Sequence, residues 1–113
     1  MEVKDNKLFV GDILADDLAQ KYGTPLYVYD EEVIKERFQE LNKAITYRPL
    51  KVLYACKANT NLEIMKVLKE EGSHIDAVSP GEVLAALKAG FSAEQIMFTG
   101  NNATSEEMEL VIK

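Results

Sequence analysis

From residue 51 onward one pattern recurs three times: a short apolar run, a polar cluster, then apolar positions at helical spacing. The runs 52–56, 75–78 and 96–98 predict strands. The polar clusters contain Thr60-x-x-Glu63, Ser79-x-x-Glu82 and Thr104-x-x-Glu107, each in the order of a helix capping box. Pro80 falls at the first predicted helical position, where its missing N–H costs nothing. Gly72 and Gly90 stand where helix C-termini are expected. Strands alternating with helices at this spacing imply βαβ units, a parallel sheet and right-handed crossovers.

The first fifty residues follow a different rhythm. Leu8 to Val10 predicts a short strand. Apolar residues at 14, 15, 18, 19 and 22 predict a helix over Ile13 to Tyr22, stopped at Gly23. Leu26 to Tyr29 reads as another strand. Asp30 is the expected N-cap of a helix running to about Ile45, with Val33, Ile34, Phe38, Leu41 and Ile45 on one stripe.

Periodicity alone does not separate a closed barrel from an open doubly wound sheet. The chain carries no Gly-x-Gly-x-x-Gly and no phosphate-binding loop that would favour a nucleotide fold. Length adds a constraint. The chain has 113 residues, whereas a complete (β/α)8 barrel takes roughly 250. Only the opening of such a barrel fits, so the chain reads as an N-terminal fragment ending inside a predicted helix.

Composition is ordinary for a globular protein, at 47% hydrophobic and 28% charged. A net charge of −6 argues against nucleic acid or an anionic membrane as partner. No apolar run approaches the roughly 18 residues of a spanning helix, and the N-terminus lacks the layout of a signal peptide. A single cysteine excludes an internal disulfide and fits a reducing compartment, so the expected location is the cytoplasm.

The candidate chemistry centres on Lys57, which ends the apolar run Val52-Leu53-Tyr54-Ala55-Cys56. Lysine is almost never buried without a purpose or a partner. Strand alternation predicts Leu53, Ala55 and Lys57 on one side and Val52, Tyr54 and Cys56 on the other. A desolvated amine aimed into a cavity can attack a carbonyl. The alternative is a strand-end lysine whose tip reaches solvent.

The stretch Tyr54-Ala55-Cys56-Lys57-Ala58-Asn59, followed by Thr60-Asn61-Leu62, resembles the cofactor-lysine motif of the pyridoxal-phosphate-dependent barrel decarboxylases. These are the fold type III, alanine racemase-like enzymes. Tyr22 to Asp30, Asp76 to Glu82 and Ala86 to Phe91 carry the same likeness in the same order. Within that family the chain is most similar to the diaminopimelate decarboxylases. The resemblance implies an α/β fold: the first βα units of a pyridoxal-phosphate-binding (β/α)8, TIM-type barrel, left incomplete. It places residues 1–31 in a β-rich second domain and 32–113 in the barrel.

The same resemblance implies that Lys57 holds pyridoxal 5'-phosphate as a Schiff base until an amino-acid substrate displaces it. It implies conversion of meso-2,6-diaminopimelate to L-lysine and CO2, the last step of lysine biosynthesis, by a homodimer. The chain alone is expected to be inactive, because the phosphate-binding groups and the proton donor of relatives lie beyond residue 113. The rival readings are a decarboxylase of the same group acting on ornithine, arginine or carboxynorspermidine, and a non-catalytic relative that binds pyridoxal phosphate.

Asp76 and Ser79 fall at the C-terminal end of the next predicted strand, the end where barrel enzymes place their sites. Asp76 is read either as a pocket carboxylate that helps bind the cofactor or as a loop charge. Ser79 and Glu82 read as a cap and its partner. His74 is expected just before its strand, in a structural role, and Cys56 as a buried thiol facing the helices. Asn101 and Asn102 suit a turn more than a contact with a polar substrate, and Asn59 either a cofactor contact or a turn. Two positions depart from many relatives: Ala103, where lysine is common, and Pro80, which often corresponds to a glycine. No Cys/His grouping has metal-ligand spacing, so no metal site is expected.

Overall fold

A computed structural model describes all residues from Met1 to Lys113. The chain divides into two compact units, Met1–Val33 and Ile34–Lys113. The first contains a small antiparallel sheet of β1 (Glu2–Lys4), β2 (Lys7–Val10) and β3 (Ile13–Leu14), followed by helix α1 (Ala15–Tyr22). The expected helix start at Ile13 is therefore two residues early, because Ile13 pairs with Val10 and Leu14 with Phe9. Leu26 to Tyr29, expected as a strand, forms none, since no neighbour in the chain pairs with it. It instead contributes Leu26, Tyr27 and Val28 to a cavity of about 340 Å³ lined also by Leu8, Val10 and Leu18.

Helix α2 spans Glu31–Ala44. Asp30 caps it as expected, its Oδ1 accepting from Val33 N at 3.4 Å. Three βα units follow: β4 (Leu53–Ala55) with α3 (Leu62–Glu70), β5 (His74–Ala77) with α4 (Pro80–Lys88), and β6 (Ile96–Phe98) with α5 (Ser105–Ile112). The three strands form one parallel sheet in the order β4-β5-β6. A mixed α/β architecture with a parallel βα run is the fold the sequence pattern predicts.

The register decides which side chains share a face. Tyr54 pairs with Ile75, and Ile75 with Ile96; Leu53 pairs with His74, Ala55 with Asp76, and Asp76 with Met97. Cys56, Ile75 and Ala77 are buried with Met65 of α3, Ala86 of α4, Ala89 and Phe91. Phe38 of α2 joins Ile64 and Leu68 in a second cluster, against which Ile34, Val52 and Tyr54 pack. Helices thus cover the Tyr54–Ile75–Ile96 face. The Leu53–Ala55–His74–Asp76 face is left uncovered, and Met97 on it is 54% exposed.

Both predicted glycine stops close their helices. Gly72 (φ +88°) donates to Lys69 O at 2.9 Å while Ser73 N reaches Leu68 O at 3.0 Å. Gly90 (φ +95°) donates to Leu87 O at 3.0 Å while Phe91 N reaches Ala86 O at 3.1 Å. These paired bonds form Schellman motifs, whose positive φ costs glycine no Cβ clash.

Candidate active site

Strand β4 ends one residue earlier than the apolar run suggests. At Cys56 the backbone leaves the strand for a single 3₁₀ turn, Cys56–Ala58. Strict alternation therefore stops before Lys57, and the expectation that Lys57 simply continues the Leu53–Ala55 row is corrected. Cys56 still points to the helix side, as predicted, and is fully buried. Its thiol donates to Asp76 O at 3.2 Å. Burial pushes the Cys56 thiol up to about 11, with the nearby Glu82 carboxylate adding to the effect.

Lys57 is exposed, and neither a hydrogen bond nor an ion pair within the chain engages its amine. It lies two residues past Ala55, whose register partner is Asp76, so the turn carrying the lysine sits beside the C-terminal end of β5. Asp76 is half-buried on the uncovered face. Its Oδ1 accepts a short hydrogen bond from Thr99 Oγ1, and Thr99 N donates to Ala77 O at 2.8 Å. The three strand ends thus bring Lys57, Asp76 and Thr99 to one edge of the sheet.

Thr99 escaped the sequence reading because the contact depends on the β5–β6 register, which no local pattern encodes. Tyr54 escaped it as well. Its hydroxyl donates to Asn59 O at 3.0 Å, across the turn that carries Lys57. A tyrosine inside an apolar run was the available signal, since a buried phenol needs a partner.

The remaining candidates fall mostly into structural roles. Ser79 Oγ accepts from Glu82 N at 3.2 Å, but the Glu82 carboxylate reaches one residue further back than a capping box requires, accepting from Val78 N at 2.9 Å. The Thr60 box does not form. Asn61 caps α3 instead, accepting from Glu63 N at 2.9 Å, while Asn59 Oδ1 takes Asn61 N at 2.9 Å. Asn59 thus makes the expected turn contact, and Asn102 (φ +60°) sits in a turn as predicted. His74 begins β5 rather than preceding it. It lies at the N-terminal edge of the sheet, with Nδ1 buried and unpartnered. No cluster of His, Cys, Asp and Glu could hold a metal ion.

The family model for the "pyridoxal-dependent decarboxylase, pyridoxal binding domain" matches residues 31–113. The chain belongs to this family. The match covers the whole βα run and both Lys57 and Asp76. Among curated relatives, a diaminopimelate decarboxylase from Methanothermobacter thermautotrophicus is 50% identical, over 99% of this chain and 27% of the relative. A crystal structure from Aquifex aeolicus superposes with a TM-score of 0.90 at 40% identity, covering 98% of this chain and 27% of that one. The diaminopimelate decarboxylase of M. jannaschii in complex with L-lysine gives a TM-score of 0.85 at 39% identity, covering 98% of this chain and 27% of that one. The chain therefore spans about a quarter of the length of these pyridoxal-dependent relatives.

The side chains at the strand ends fit a pyridoxal-binding site. Such a cofactor needs an uncommitted primary amine, and Lys57 offers one on a short, defined turn. The Asp76 carboxylate lies on the neighbouring strand, with Oδ1 held by Thr99.

Proposed function

We propose that this chain supplies the cofactor lysine of a pyridoxal-phosphate-dependent amino-acid decarboxylase, with meso-2,6-diaminopimelate as substrate and L-lysine and CO2 as products. The observation that carries the reading is the unengaged Lys57 amine on a 3₁₀ turn at the C-terminal end of a parallel strand. Diaminopimelate is favoured over ornithine or arginine by the relatives, which are diaminopimelate decarboxylases at up to 50% identity. In this reading the uncovered face of β4-β5-β6 becomes the interior of a (β/α)8 barrel, and residues 1–31 belong to a β-rich domain. The active enzyme is a cytoplasmic homodimer. A lone buried cysteine, which suits a reducing compartment, supports that location.

Bound pyridoxal phosphate supplies an electron-withdrawing ring that accepts the electron pair left when CO2 departs. Lys57 tethers the cofactor through its amine. Asp76 presents a carboxylate at the C-terminal end of the neighbouring strand, at the same edge of the sheet as the lysine turn. Thr99 holds Asp76 Oδ1 and leaves Oδ2 without a partner in the chain.

The test is chemical labelling. The chain is incubated with pyridoxal 5'-phosphate, reduced with borohydride and mapped by peptide mass spectrometry. Label at Lys57 is expected to exceed that at every other lysine, and Lys57→Ala to abolish the excess. Even labelling of all exposed lysines would overturn the assignment. For the substrate, a protein carrying this chain at the full length of its relatives is expected to release CO2 from meso-2,6-diaminopimelate faster than from ornithine or arginine. The opposite order would transfer the assignment to a rival decarboxylase.

A further inference from the structure

We propose that Tyr54 is a positioning residue for Lys57: its hydroxyl pins the turn that presents the amine. This inference rests on the reading of Lys57 as the cofactor lysine.

Lys57 and Ala58 are exposed, and no contact of the lysine amine fixes the turn from outside. The turn takes its position from its neighbours. On one side Cys56 is fully buried, and its thiol is bonded to Asp76 O at 3.2 Å. On the other, Asn59 N donates to Cys56 O at 3.0 Å, and Asn59 O accepts from the Tyr54 hydroxyl at 3.0 Å. The tether continues into α3, because Asn59 Oδ1 accepts from Asn61 N at 2.9 Å and Asn61 caps the helix. The Tyr54 ring packs against both apolar clusters, so the strand and the helix layer hold the phenol in place. Its hydroxyl adds what an apolar ring cannot, a direct link from β4 to the residue that closes the lysine turn.

The consequence is chemical. Condensation requires the amine lone pair to meet an aldehyde carbon at bonding distance and along the correct approach. As the C–N bond forms, the carbonyl oxygen leaves as water. A turn that loses one of these tethers samples more orientations, and fewer of them are productive. A neutral hydrogen bond of this kind corresponds to roughly a three- to tenfold effect.

Tyr54→Phe keeps the ring and deletes the hydroxyl. Variant and unsubstituted chain are treated with pyridoxal 5'-phosphate and borohydride, which delivers hydride to the former aldehyde carbon while solvent protonates nitrogen, leaving a stable secondary amine. The readout is label at Lys57 relative to Lys51, in the segment before β4, and Lys88 of α4, two exposed lysines outside the turn. We expect this ratio to fall about three- to tenfold in Tyr54→Phe, with the Lys51 to Lys88 ratio unchanged. Hydrogen exchange at the Asn59 amide should accelerate by a similar factor. An unchanged Lys57 ratio overturns the positioning role and leaves the cofactor assignment standing. So does a lower melting temperature with label altered evenly at all lysines, which would make Tyr54 a packing residue only. No excess at Lys57 in the unsubstituted chain removes the cofactor assignment and this inference together.

Discussion

Cys56 and Lys57 are adjacent, yet their surroundings give them opposite chemistry. The thiol is sealed under α3 and α4 and keeps its proton up to about 11. It should react slowly with thiol reagents at neutral pH and rapidly after denaturation, as an alkylation time course would show. The same group sets a pH dependence. The folded chain retains a proton that the unfolded chain releases above the ordinary value of 9.0, so stability is full below that value and falls as pH rises through about 11. The loss is on the order of 2–3 kcal/mol. Urea midpoints that decline across this alkaline window, and do so less in Cys56→Ala, would bear this out. Lys57, one residue on, is exposed because the backbone turns out of the strand. Residue type alone could not distinguish these two environments.

At the scale of elements, side chains at helix starts decide where each helix begins. Thr104 and Glu107 form a full reciprocal box on α5: Thr104 Oγ1 accepts from Glu107 N at 3.2 Å, and Glu107 Oε2 accepts from Thr104 N at 2.8 Å. Thr104→Ala should cost about 1 kcal/mol and raise amide exchange through the first turn of α5. Hydrogen exchange resolved by residue would show both effects. The corresponding box at Thr60 was legible in the sequence and is absent from the fold. Asn61 takes the Glu63 N–H that the box would have used, and Asn59 accepts from Asn61 N, so the cap moves one residue along. Ser92 and Gln95 form a box that went unread, since it opens only a single 3₁₀ turn. Sequence signals at helix starts are therefore dependable as to region and less so as to residue.

For the whole molecule, the core of the second unit depends on a few fully enclosed side chains. Met65 is buried without residual exposure between the sheet and α4. Met65→Ala should cost about 2–5 kcal/mol, a large share of the roughly 5–15 kcal/mol that holds a domain together. Chemical denaturation monitored by circular dichroism would measure it, and a loss under 1 kcal/mol would mean that the cavity collapses. The uncovered face bearing Leu53, His74, Asp76 and Met97 is the counterpart of this core. It combines apolar and titratable residues. That mixture suits a surface that is closed over and used for chemistry better than one that is permanently solvated.

The sequence by itself determined the alternation of strands and helices, the parallel βα run, the glycine stops and the lysine worth testing. Each of these is written in local periodicity or in the conformational freedom of one residue type. Only the tertiary structure decided that Thr99 meets Asp76, that Glu82 reaches back to Val78, that Leu26 to Tyr29 finds no strand partner, and that Tyr54 closes the turn around Lys57. These contacts join residues whose proximity comes from register and packing across strands, and register is a property of the assembled sheet, not of any single segment.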